Sequence, residues 1–246
     1  MVLGVVLAVV LVRDRQTSPV VDPKRPGTVL LVAGYGGSRS SLDRLAERLR
    51  ASGRTVQIVP PVGDNTGDLR EQAKALNRSA RREIDAGAAS VDVVGYSAGG
   101  VVVRIWAADL GGADLTRRVV TLGSPHHGTD VAALAAGLLA GSCPTACRQL
   151  APGSDVLSSL PEAPSGPQWT SIWTTDDDLV TPPTSASLRG AVDVELQQVC
   201  ADARVEHGGL PTDPLTIGLV ERALTGAGLS ARPPARECAA LRQAGT

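Results

Sequence analysis

Six short apolar runs, each followed by a helical or polar stretch, constrain this chain more than any other feature of its sequence. They read TVLLVAG from Thr28, TVQIVP from Thr55, VDVVGY from Val91, RVVTLG from Arg118, QWTSIWTT from Gln168 and VDVELQQV from Val192. The first, TVLLVAG, is continuously rather than alternately apolar, which marks a strand covered on both faces. Amphipathic helices are predicted between them. Ser41 to Gly53 carries Leu42, Leu45, Ala46 and Leu49 on one face and stops at a glycine; Asp68 to Ala86 carries Leu69, Ala73, Leu76, Ala80 and Ile84 at helical spacing. Ala98 to Leu110 and Pro214 to Thr225 read as two more helices. Strands that alternate with helices predict an α/β fold with a doubly wound, mainly parallel six-stranded sheet.

At 246 residues the chain suits one such domain with a substantial core. Lys and Arg number 24 against 25 Asp and Glu, with no block of like charge, which argues against a nucleic-acid partner. Phe is absent, so core and pocket walls must come from Val, Leu, Ala and Ile. Cys143, Cys147, Cys200 and Cys238 allow three pairings. The expected one is Cys143–Cys147 as a local clip and Cys200–Cys238 as a tie to the tail. A zinc site is disfavoured, because no Cys-x-x-Cys is present and no histidine sits at ligand spacing.

The amino terminus is uninterrupted apolar from Val2 to Val12, then reads Arg13-Asp14-Arg15. That run is shorter than the ~20 residues of a spanning helix. Residues 1–27 are expected to be an export or anchor remnant followed by a Pro-rich linker, which implies a secreted or envelope-held protein. The folded unit is expected to begin near Thr28 and run to residue 246. Between the fourth and fifth strands, Ser124 to Pro167 is too long for a plain connection. It holds VAALAAGLLAG (Val131 to Gly141), read either as a buried helix or as a wall over an apolar groove.

The chemistry is expected where the third strand meets the next helix. Gly95-x-Ser97-x-Gly99 alone is a weak pattern, with roughly 0.2 chance matches expected in such a chain. Its position between a Val-rich strand and a helix is what makes it specific. Ser97 would be held in a strained backbone conformation, its hydroxyl presented at the carboxyl end of the sheet. A serine needs a base to become nucleophilic. His207, after the sixth apolar run, fits the order serine, acid, histidine; His126 and His127 precede any acid and are expected to shape a loop. The acid belongs to Asp176, Asp177 or Asp178, with Asp177 favoured by its register to Val180-x-Pro182. The two amides to hold an oxyanion are expected to be Ala98, just after the serine, and Tyr35 in the glycine-rich loop AGYGGSRS.

Taken in order, AGYGGS, GYSAGG, LGSPHHGT, TSIWTTDDDLVTPP and HGGLPTDP resemble the small secreted bacterial lipases of the α/β-hydrolase fold, the actinobacterial kind in particular. The resemblance spans roughly Thr28 to Cys238. It implies a minimal α/β-hydrolase domain over 28–246 that cleaves carboxylic esters of lipids. The implied roles are Ser97 as nucleophile, His207 as base, Asp177 as acid and the Tyr35 and Ala98 amides as oxyanion donors. It further implies no cofactor, an ester or lipid substrate, contact with a lipid interface and a monomer. Two departures follow: Ala33 precedes Gly34 where the family usually has His-Gly, and the first two strands of the larger fold are expected to be absent. Rival expectations are a short-chain carboxylesterase, an envelope-lipid acyltransferase and an inactive binding module on the same scaffold.

Overall fold

The computed structural model describes residues 22, 25–37, 39–138 and 143–246. Six strands, β1 (Thr28–Val32), β2 (Val56–Ile58), β3 (Val91–Tyr96), β4 (Thr116–Leu122), β5 (Gln168–Trp173) and β6 (Val192–Glu195), form one sheet in the order β2-β1-β3-β4-β5-β6. Every pairing is parallel. The helices are α1 (Asp43–Ala51), α2 (Leu69–Asp85), α3 (Ala98–Asp109), α4 (Asp130–Leu138), α5 (Thr145–Gln149), α6 (Asp155–Ser159), α7 (Leu196–Val199), α8 (Pro214–Leu224) and α9 (Cys238–Ala244).

Side chains on a strand alternate faces, and here both faces are apolar because both are covered. In β1, Val29 and Leu31 join Leu45, Leu49, Ile217, Val220 and Leu241 under α1, α8 and α9. Leu30 and Val32 turn the other way, into the layer of Leu69, Leu76, Val102, Ile105 and Trp106 beneath α2 and α3. The sheet is thus doubly wound, as the six apolar runs predicted. Its order reverses between β1 and β3, and in such sheets the crevice at the carboxyl ends of those two strands is where ligands bind.

Several boundaries differ from the sequence reading. The predicted sixth strand stops at Glu195, and 196–199 make a single helical turn instead. Leu196 and Val199, three apart, are both buried there, a pattern that a helical turn satisfies and an alternating strand does not. The second apolar run yields only three residues of edge strand. The excursion from Ser124 to Pro167 is not structureless: it folds into α4, α5 and α6. Arg104 of α3, fully buried, ties its ends together by donating to the carbonyls of His126 (2.8 Å), Leu160 (3.4 Å), Pro161 (2.7 Å) and Glu162 (3.3 Å). Burial lowers the Arg104 pKa to about 10.

Both expected disulfides are present, Cys143–Cys147 and Cys200–Cys238. By chain-entropy reasoning the second, closing a loop of 38 residues, contributes about 4 kcal/mol and the first about 2 kcal/mol. Arg118 closes the carboxyl end of α8 by donating to the carbonyls of Ala223 (2.8 Å) and Thr225 (2.9 Å). Among the described residues no helix is long and apolar enough to cross a membrane. The expected export segment lies outside the described residues, apart from Asp22 and 25–27. Asp22 donates its backbone amide to Ala89 (2.8 Å), and β1 begins at Thr28 as expected.

Candidate active site

β3 delivers Ser97 to the carboxyl edge of the sheet, and α3 starts at the next residue. Ser97 has φ 55° and ψ −129°, a region that L residues rarely occupy. The glycines on either side follow from crowding. A β-carbon on Gly95 would lie 2.7 Å from the Gly100 Cα, and one on Gly99 would collide with the Val32 carbonyl. The turn is also pinned from outside, where the Ser97 amide donates to Leu122 of β4 at 2.8 Å.

The partners come from two later loops. Asp177 follows β5, and His207 opens a short 3-10 turn well after β6. The Ser97 Oγ lies 2.9 Å from His207 Nε2, and His207 Nδ1 lies 2.8 Å from Asp177 Oδ2. The structure therefore brings together three side chains that are far apart in the sequence. Asp177 is the buried member of the acidic trio. Its Oδ1 accepts from the amides of Leu179 (3.0 Å) and Val180 (2.7 Å), which leaves Oδ2 for the imidazole. Asp178, exposed, accepts the His207 backbone amide at 3.3 Å, and Asp176, half-buried, lines a separate cleft.

Sequence reasoning missed Tyr96. Its hydroxyl donates to the His207 carbonyl at 3.1 Å, and its ring centroid lies 5.2 Å from that of the imidazole. Burial first, then the charges of Asp177 and Asp178, pushes its pKa up to about 12, so the hydroxyl stays a donor. The only sequence signal was an aromatic residue directly before the serine.

Gly34 brings the backbone of the first loop against Ser97. A β-carbon there would sit 2.7 Å from the Ser97 Cβ and 3.3 Å from its Oγ. The next residue, Tyr35, stands at the groove, while Ala98 is the first residue of α3. Neither the Tyr35 nor the Ala98 amide is bonded to another described residue. Above Ser97 opens a groove of about 440 Å³, walled by Val131, Ala132, Ala135, Leu150, Leu179 and Val180. The helix α4 is not the buried helix that was one of its two expected readings: Val131 is 45% exposed, while Ala132 is buried. Residues 139–141 of the predicted helix lie outside the described residues.

His126 and His127, expected to shape a loop near the site or to be ordinary turn residues, do not line the groove that holds Ser97. His126 is fully buried and bonds through Nε2 to Thr121 Oγ1 (3.1 Å), which donates to Ser171 Oγ (3.0 Å). Burial, then Arg104 and His127, holds its pKa well below the usual value. The unfolded chain takes up this proton near pH 6.5 and the folded chain does not. The linked stability is fully present above about pH 6.5 and is lost as pH falls from there toward the depressed folded value. Urea midpoints measured from pH 7 to pH 5 should fall for the wild type and fall less steeply for His126→Gln; equal slopes would remove His126 from this account.

No protein-family model and no curated protein sequence matches the chain. Solved structures share its fold. The mature lipase BlEst2 of Bacillus licheniformis superposes with a TM-score of 0.68 at 20% identity, over 84% of this chain and 94% of its own. Lipase B of Aspergillus fumigatus gives 0.70 at 19% identity over 90% of this chain, which spans only 57% of the fungal enzyme. A metagenomic carboxyl esterase gives 0.52 at 16% identity, over 72% of this chain and 63% of its own.

Proposed function

We propose that this chain, an α/β-hydrolase by its fold, is a serine hydrolase of carboxylic esters, and that its substrates are lipid esters. The observation that carries the reading is the unbroken hydrogen-bonded line from Ser97 through His207 to Asp177 at the floor of an apolar groove. In the mechanism this supports, Ser97 Oγ attacks the ester carbonyl while His207 Nε2 takes its proton, and Asp177 stabilises the imidazolium. The Tyr35 and Ala98 amides receive the oxyanion, aided by the positive end of α3. Collapse expels the alcohol, which leaves with the proton from His207. Water, deprotonated by His207, then attacks the acyl-enzyme; the bond to Ser97 Oγ breaks as His207 returns the proton, and the carboxylic acid leaves.

The walls of the groove argue for an acyl chain rather than a polar acid. Of the four exposed large hydrophobic residues among the described residues, Tyr35 (41%), Val131 (45%) and Leu179 (50%) line this groove, and only Val62 does not. Clustered apolar exposure around a site suits an approach to a lipid interface. Two disulfides suit an oxidising, extracytoplasmic setting, and we take the protein to act there as a secreted or envelope-held monomer. The resemblance to actinobacterial secreted lipases rests on the sequence motifs.

Turnover of nitrophenyl esters from acetate to palmitate, beside emulsified triglyceride, tests the substrate class. The account expects kcat/KM to rise with chain length. It also expects Ala135→Trp, which fills the groove, to lower kcat/KM for palmitate at least about tenfold while acetate is spared. An equal loss on acetate, or a wild-type preference for acetate, would point to a short-chain carboxylesterase.

A further inference from the structure

The loop that would supply the Tyr35 amide has Ala33 before Gly34, so no polar side chain at residue 33 can brace it. The loop is nonetheless a defined turn, closed by Gly37 N–H donating to the Gly34 carbonyl at 3.0 Å, with Gly36 at φ 58°. What holds that turn from behind comes from a separate segment, the connection between β2 and α2.

We propose that Asn65 is a positioning residue that clamps the Gly34–Gly37 turn and thereby fixes the Tyr35 amide where an oxyanion forms. The proposal rests on the ester-hydrolase reading above. The Asn65 side-chain amide reaches the carbonyls at both ends of the turn, Gly34 at 3.4 Å and Gly37 at 3.5 Å. Both partners are acceptors, so the NH₂ group must be the end that faces them. In return the Asn65 backbone carbonyl accepts from the Gly36 amide at 3.3 Å and from Gln72 Nε2 of α2 at 3.3 Å. The bonds to the turn are individually long, but together they hold its first, third and fourth residues.

Two further facts set Asn65 apart from an ordinary loop residue. It is 4% exposed and absent from the groove wall, so it acts through the turn and not on a substrate. Among the described residues, Asn65 (φ 61°) and Ser97 are the two non-glycine residues at positive φ. Backbone strain of that kind persists where surrounding structure over-determines it, and it gathers at functional sites. Asparagine is the side-chain-bearing residue that best tolerates this conformation while still offering two donors.

Two variants separate this role from mere stability. Asn65→Asp keeps shape and backbone preference but sets a carboxylate against two carbonyls; Asn65→Gly keeps the backbone and removes the clamp without adding charge. The measurements are kcat and KM on nitrophenyl butyrate, inhibition by a boronic acid that forms a tetrahedral adduct on serine, and thermal melting. Both variants should lose about tenfold to a hundredfold in kcat, short of the 10² to 10³ that deletion of an oxyanion donor costs, with KM within about twofold. Boronate inhibition should weaken by a similar factor. Should either variant keep wild-type kcat, or lose only in KM, the clamp is overturned. Should the wild type neither hydrolyse esters nor bind boronate, the ester-hydrolase reading fails and takes this proposal with it.

Discussion

Replacing Asp177 by asparagine is expected to lower kcat by about 10³ to 10⁴, and the hydrogen bonds around that side chain say why. Asp177 Oδ1 accepts from two backbone amides, Leu179 and Val180. An asparagine must keep its carbonyl oxygen there, since its NH₂ would face two donors. The NH₂ then faces His207 Nδ1, which has to accept instead of donate. That forces the imidazole proton onto Nε2, the nitrogen that lies 2.9 Å from Ser97 and has to receive the serine proton. The geometry survives in the wrong tautomer. Among the described residues the Asp178 side chain hydrogen-bonds only to the His207 backbone amide, so Asp178→Asn should cost less than about tenfold. Steady-state rates of the two variants decide the matter; a large loss in Asp178→Asn beside a mild one in Asp177→Asn would reassign the acid.

Ser97→Ala should be costlier still, about 10⁶ in kcat, the order found when a nucleophile that works as a unit with its base is removed. The fold should be unaffected. Ser97 Oγ bonds only to His207 among the described residues, while the strained turn is held by the backbone bond to Leu122 and by packing of the flanking glycines. Hydrolysis of a nitrophenyl ester, followed beside a thermal melt, should therefore show loss of turnover with an unshifted melting curve. Wild-type turnover in the variant would exclude Ser97 as nucleophile.

Much of this architecture was legible in the sequence because it depends on local rules. Val29 and Leu31 against Leu30 and Val32 show why a continuous apolar run meant a strand with two covered faces. The turn at Ser97 was legible because its glycines answer to neighbours within a few residues or on the adjacent strand. Asp177 and His207 were candidates by chain order, and the fold brings both side chains into line with Ser97. What was not legible depends on tertiary contact. Arg104 sits in an apolar helix, and only the fold shows that it gathers carbonyls from both ends of the excursion. Tyr96 and Asn65 act through backbone groups 111 and 28 to 31 residues away, and no pattern of spacing announces such pairs. The predicted sixth strand failed at Leu196 because Leu196, Gln197 and Gln198 are good helix formers and a helical turn buries Leu196 and Val199, three apart.

The central claim is that the hydroxyl of Ser97 is activated by His207. A fluorophosphonate probe reads this most directly, because it modifies a serine made nucleophilic by a neighbouring base and leaves ordinary serines alone. After incubation of the wild type and Ser97→Ala, digestion and mass spectrometry should place a single adduct on the wild-type peptide that carries Ser97 and none on the variant. A folded wild-type protein that stays unlabelled, or that carries its adduct on another serine, would contradict the account.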